Sequence, residues 1–190
     1  MILECGPADD RRILFFTLPP KSKKIGVFVS GGIDSALLYY LIQQANVELG
    51  NIHDVTACIM HRQEGSIRFA EPSVRHIDAM FNLDTKIKIV GDTTLHPDKQ
   101  VKSGVEEAYR LGMNLIYVGV IDALPIHLIG WDHINTTQSA TFKTPLVKLN
   151  KSHIIDLIMQ FKLEEFFPIT YSCVLDTGPC NMCNGCNERN

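Results

Sequence analysis

The sequence predicts an α/β domain built on a doubly wound parallel sheet, and three observations carry that prediction. Short β-branched segments alternate with longer stretches whose apolar residues recur at helical spacing. Turn formers punctuate the junctions, with Gly112 closing one helical stretch and Pro72 marking the start of another. A glycine pair, Gly31-Gly32, stands where the first strongly strand-like segment gives way to a helix-like one. Strands that alternate with helices in this way form a parallel sheet covered on both faces.

In chain order, residues 1–24 form an N-terminal extension. It carries one apolar run, Ile13-Leu14-Phe15-Phe16-Thr17-Leu18, read as an extra strand, and then a break at Pro19-Pro20. Residues 25–165 form the α/β core. Its strands are expected over 25–29, 55–60, 86–90 and 115–119, and its helices over 35–44, 73–81, 99–111 and 152–161. Asp34 or Ser35 is the expected cap of the first helix. Residues 166–190 form a cysteine-rich tail, and the whole of 1–190 reads as a single domain. Ligands of such sheets bind outside the carboxyl ends of the strands, which gathers residues 30–35, 60–62 and 119–122 around one crevice.

Composition narrows the function classes. With 45% hydrophobic and 21% charged residues the chain is an ordinary globular sequence. A net charge of −3 and a pI near 6.1 argue against broad electrostatic binding of nucleic acid, although Lys21, Lys23 and Lys24 cluster before the first core strand. No apolar run approaches the length of a membrane span, and Met1-Ile2-Leu3-Glu4-Cys5 lacks the pattern of a secretory signal, so a cytoplasmic protein is expected.

The chemistry starts at Ser30-Gly31-Gly32-Ile33-Asp34-Ser35. A glycine turn lets backbone approach a ligand, and the helix start behind it presents unpaired N–H groups and the positive end of a dipole. Phosphate is the expected guest. No Lys-Ser/Thr pair follows the glycines, so this is not a Walker A loop. The run instead resembles the loop of the PP-loop ATP pyrophosphatases. In that group the loop holds the β- and γ-phosphates of ATP while a substrate attacks the α-phosphorus.

Four of the six cysteines are spaced Cys173-x6-Cys180-x2-Cys183-x2-Cys186, with Gly178, Pro179, Asn181, Asn184 and Gly185 between them as turn formers. Such a set suits tetrahedral zinc, and a closed four-thiolate site would fold the tail rather than catalyse. Iron–sulfur ligation remains open at this spacing, and disulfides would need an oxidising compartment. Cys5 and Cys58 read as a terminal residue and a small strand hydrophobe.

Loop and tail together resemble the 7-cyano-7-deazaguanine synthase family. A third segment, Thr144-Pro145-Leu146-Val147-Lys148-Leu149-Asn150-Lys151, resembles that family's Thr-Pro-Leu-x4-Lys run, and Thr170-Tyr171-Ser172-Cys173 resembles its approach to the first zinc ligand. The resemblance spans about residues 24 to 189. It implies that Ser30, Gly31, Gly32, Asp34 and Ser35 hold the ATP phosphates and Mg²⁺, with Lys151 adding charge there. Asp34, Ser35 and Lys151 would then form the catalytic set. It places Met60 and His61 near the adenine, Gly119 against the nucleotide, and Zn²⁺ on Cys173, Cys180, Cys183 and Cys186.

The implied reaction adenylates 7-carboxy-7-deazaguanine, forms an amide with ammonia and dehydrates it to the nitrile with a second ATP. The expected partners are therefore a small-molecule carboxylate and ammonia, with a homodimer allowed and no membrane or nucleic acid. Three segments depart from the family pattern: Met60-His61-Arg62-Gln63, Asp98-Lys99-Gln100 and the stretch from Ile121 through Asp122 to Trp131-Asp132. Two other readings stand beside this one: a PP-loop enzyme that adenylates a tRNA base for thiolation, and a nucleotide-binding module without catalysis.

Overall fold

The structure, a computed structural model, describes residues 1–60, 67–92, 94, 97–121, 141–171 and 173, with Ile67 and residues 97–101 described as backbone. β1 (Ile2–Cys5) and β2 (Arg12–Phe15) pair as an antiparallel hairpin, with Ile2 opposite Phe15 and Cys5 opposite Arg12. The remaining strands are β3 (Lys24–Val29), β4 (Asp54–Met60), β5 (Lys86–Val90), β6 (Leu115–Val118) and β7 (Thr141–Lys143). They form one parallel sheet in the order β5-β4-β3-β6-β7. The chain starts this sheet in the middle, builds outward to β5, and returns to add β6 on the other side of β3. That reversal is the topological switch point of a doubly wound sheet.

Side chains alternate across the sheet with period two and fill two apolar layers. Ile25, Val27 and Val29 of β3, Val55, Ala57 and Ile59 of β4, and Leu115 and Tyr117 of β6 face one layer. That layer is completed by α1 (Ile33–Glu48), α2 (Ile67–Phe81), α4 (Lys151–Gln160) and the short α5 (Phe166–Ile169). Phe28, Cys58, Met60 and Ile116 face the other layer, closed by Val105 and Ala108 of α3 (Pro97–Arg110). α1 is buried on almost every side, because α2 and α4 flank it while the sheet lies beneath.

Several expectations need correction. The expected extra strand is present as β2, but it pairs with a strand not expected, β1, and Cys5, Leu14, Phe16 and Leu18 join the same core layer as α1. The second core helix starts at Ile67 and runs through Pro72 instead of beginning after it. Its buried stripe, Ala70, Val74 and Ile77, begins ahead of the proline, so packing carries the helix past one missing N–H. The Ser73 hydroxyl, 2.7 Å from the Phe69 carbonyl, adds a local bond beside that gap. β7 and α5 are too short for a period to reveal. Among the described residues no helix is long and apolar enough to cross a membrane.

Candidate functional site

The crevice at the switch point is built by the turn from β3 into α1 and by the residues that follow β6. Gly31 takes a positive φ of +87°, and the chain then enters α1 with Gly32 as its N-cap. Asp34 and Ser35 therefore lie inside the first turn and do not cap it, because Ser35 turns its hydroxyl back 2.8 Å to the Gly32 carbonyl. A hydroxyl has one proton to give, so Ser35 Oγ accepts from the Ser30 N–H and the Ser30 hydroxyl, each at 3.2 Å. The Ser30 oxygen in turn lies 3.4 Å from the Gly32 N–H. The two serines thus fix the turn from within. Among the described residues no side chain caps the α1 N–H groups, which leaves the positive end of a buried helix facing the crevice.

Charge is added by a contact that spans most of the chain. Lys151, the first residue of α4, places Nζ 2.8 Å from both carboxylate oxygens of Asp34. The pair is largely shielded, with side chains 14% and 22% exposed, so its attraction is stronger than that of a surface pair. On the other wall, a Cβ on Gly119 would stand 3.1 Å from the Asp34 carbonyl oxygen and from Ser35 Cα. The end of β6 packs directly on the first turn of α1 for that reason.

The C-terminal segment also reaches the turn. The Tyr171 N–H donates to the Gly31 carbonyl at 2.8 Å, and the Tyr171 ring stacks on Phe69 of α2 with centroids 5.0 Å apart. The Arg68 guanidinium lies over both rings, at 5.2 Å and 5.8 Å. Cys173, two residues on, is buried. This strap was not read from the sequence, since an aromatic pair a hundred residues apart leaves no local pattern.

The sequence-predicted residues divide accordingly. Ser30, Gly31, Gly32, Asp34, Ser35, Gly119 and Lys151 converge on one crevice. The Met60 side chain is buried in the layer beneath α3 with Phe28, Cys58 and Val90. His61, Asp122, Cys180, Cys183 and Cys186 lie outside the described residues, which contain no cluster of three metal-ligating side chains. Burial leaves Cys58 a poor nucleophile, its thiol pushed up to about 12 chiefly by desolvation. It is a core residue, as expected.

The residues that hold Lys151 were missed. Asn150 caps α4 in a reciprocal box: its side chain accepts from the His153 N–H while the His153 ring accepts from the Asn150 N–H. Asn-x2-His just ahead of an apolar run was the available signal, although a histidine replaces the usual Glu or Gln there. Asp10, in the hairpin turn, is held below the ordinary carboxylate range mainly by its bond from Arg12.

No known family profile matches the chain, and no curated protein does. Solved structures do. The U34-tRNA thiolase NcsA from Methanococcus maripaludis, solved with its 4Fe-4S cluster, superposes with a TM-score of 0.58 at 13% identity over 88% of this chain. The fold is the PP-loop, adenine-nucleotide alpha-hydrolase-like fold. At that identity the likeness extends to the fold alone, and this chain spans 64% of the thiolase's length. PH1313 from Pyrococcus horikoshii matches with a TM-score of 0.48 at 10% identity, covering 74% of this chain and 41% of that one. A universal stress protein in complex with cAMP matches at 0.40 and 14%, covering 68% of this chain and 98% of that one.

Proposed function

We propose that this chain is an ATP-dependent enzyme that adenylates a carboxylate with release of pyrophosphate, of the 7-cyano-7-deazaguanine synthase type. The observation that carries the reading is the juxtaposition of an uncapped, buried helix start with the Asp34–Lys151 pair at the switch point. The Asp34 carboxylate beside this helix start fits Mg²⁺, which takes one or two carboxylates together with phosphate oxygens. Mg²⁺ would supply charge neutralisation on the polyphosphate.

The chain's own groups do the rest by position. The Gly31–Gly32 backbone and the α1 N–H groups receive the leaving β- and γ-phosphates, and Lys151 offsets the negative charge that builds as the bond to the α-phosphorus breaks. The substrate carboxylate oxygen forms a bond to the α-phosphorus as pyrophosphate leaves. Ammonia then attacks the acyl carbon, AMP leaves with its mixed-anhydride oxygen, and a proton is lost. A second ATP activates the amide oxygen, and departure of AMP with loss of the two amide protons leaves the nitrile. His61 and the Met60 backbone, at the end of β4, are proposed near the adenine, and Cys173, Cys180, Cys183 and Cys186 as a structural zinc site that folds the tail. The ammonia is free or delivered by a partner, in a cytoplasmic protein of one domain.

The deciding experiment incubates the protein with MgATP, ammonium and 7-carboxy-7-deazaguanine and reads products by mass. AMP, pyrophosphate and the nitrile are expected. ATP binding without any α,β cleavage would overturn the enzyme reading in favour of a binding module.

A second reading has one observation in its favour. Cys173 lies two residues from the Tyr171 N–H that binds Gly31, which brings a thiol close to the turn. A tRNA-thiolating enzyme needs sulfur chemistry near the adenylated base, and the thiolase named above carries a 4Fe-4S cluster. Iron in place of zinc in the anaerobically purified protein would move the assignment to that reading.

A further inference from the structure

The tip of the N-terminal hairpin reaches the first turn of α4, which carries Lys151, through a set of contacts that no local sequence pattern announces. Gly6 follows β1 with φ +104°, and a Cβ there would stand 2.4 Å from the Asp10 carbonyl oxygen and 2.5 Å from His153 Cδ2. The hairpin turn is therefore closed directly onto the His153 ring, which is fully buried. His153 Nε2 lies 2.8 Å from the Asp10 carbonyl oxygen, an atom that accepts, so Nε2 carries a proton. The Asp10 carboxylate accepts from Asn150 Nδ2 at 3.2 Å and from Arg12 at 2.9 Å. Arg12 also donates to the Lys148 carbonyl. Gly6 N–H donates to Asp156 at 2.7 Å, one turn further along α4. The hairpin thus grips α4 on both sides of Lys151 while its own apolar residues, Cys5 and Leu14, anchor it in the core.

We propose that the turn between β1 and β2 is the positioning element of Lys151: Gly6 and Asp10 fix His153 and Asn150, and these set the first turn of α4 so that the ammonium meets Asp34. Residues 1–24 are then part of the site's machinery. The inference rests on reading Lys151 as a phosphate-site residue only for its functional consequence, because the placement itself is a property of the ligand-free protein. Ile154, Leu157 and Ile158 hold the helix on the core whether or not the latch is closed, so opening the latch shifts the first turn without detaching α4.

A double-mutant cycle on folding tests the placement without any ligand. Asp34→Ala, Lys151→Ala and the double variant, unfolded in urea, give the coupling of the pair, expected to be about fivefold in the unfolding equilibrium constant. In His153→Ala and Asp10→Ala backgrounds the coupling should fall below about twofold. His153→Gln, which keeps a donor for the Asp10 carbonyl, should retain more of it than His153→Ala. Asp10 is partly exposed, so its variant keeps the test alive if His153→Ala does not fold. Unchanged coupling in these backgrounds, or no coupling in the parent, overturns the proposal. MgATP titration supplies the functional arm: Asp10→Ala should weaken binding in the parent and add nothing in Lys151→Ala. A parent that binds no MgATP sinks the ATP reading, while the unfolding cycle still decides the latch.

Discussion

α1 and α4 meet at the same crevice, and their first turns are built in opposite ways. α1 begins at a glycine cap, with no side chain of the described residues on its N–H groups, and it carries Asp34 in that first turn. α4 begins at Asn150 in a complete capping box whose second member, His153, is pinned by the hairpin. An uncapped helix start is a cost of a few tenths to about 1 kcal/mol that the protein tolerates at α1 and removes at α4. The difference assigns the two ends different work. α1 keeps its donors for an anion, whereas α4 spends them internally and contributes a side chain, Lys151, whose position its sealed turn makes definite.

The largest effects should come from breaking the bridge between the two turns. Lys151→Ala and Asp34→Ala are each expected to lower the rate of AMP and pyrophosphate formation by about 10²–10³-fold. The far-ultraviolet circular dichroism should be retained, since neither residue belongs to the core layers. Activity within about threefold of the parent in either variant would remove the pair from the reaction.

Sealing α1 in the manner of α4 gives the next effect, and one with opposed signs. Gly32 has φ −85° and ψ 158°, which any residue adopts, and a Cβ there meets Ser30 Oγ at 3.5 Å and the Tyr171 carbonyl at 3.7 Å, ordinary contacts. Gly32→Asp should therefore fold, gaining a few tenths of a kcal/mol from the new cap. The same carboxylate occupies the donors and repels phosphate, so MgATP affinity should drop about tenfold or more, a change of about 1.4 kcal/mol. Thermal melting and titration calorimetry on one sample read both quantities. A variant that binds MgATP as tightly as the parent would show that the anion does not sit on the α1 turn.

What the sequence made legible follows from the range of each signal. The turn at residues 30–35 could be read because its chemistry is local: glycines, a following helix and serines that bond to one another within six positions. The sheet could be read because burial on both faces makes β3 and β4 near-continuous apolar runs set between helical stretches. The start of α2 was misplaced because Pro72 is a strong local signal that the buried stripe at Ala70 and Val74 overrides. The latch was illegible for a different reason. Asp10 and His153 are 143 positions apart, and neither a lone aspartate nor a lone histidine in its own segment differs from an ordinary polar residue. Long-range polar contacts of this kind acquire meaning only once topology has brought their segments together.

The smallest of the expected effects unseals α4 and shows what its cap is for. Asn150→Ala removes the acceptor for the His153 N–H and the donor to Asp10 in one step. As a cap alone it should cost about 1 kcal/mol of unfolding free energy, the usual value for losing an asparagine at this position. A cap that only stabilises the helix would leave MgATP binding unchanged. If the sealed turn also fixes Lys151, affinity should fall a few fold, in step with the weakened Asp34–Lys151 coupling and not with the melting temperature. Comparison with Asn150→Asp separates the two, because aspartate restores the acceptor for His153 while placing a second carboxylate beside Asp10. That variant should regain the helix cap yet keep the binding defect, since its new charge pushes the hairpin turn away from the first turn of α4. Full recovery of both quantities by aspartate would reduce Asn150 to a helix cap and confine the contrast between the two turns to stability.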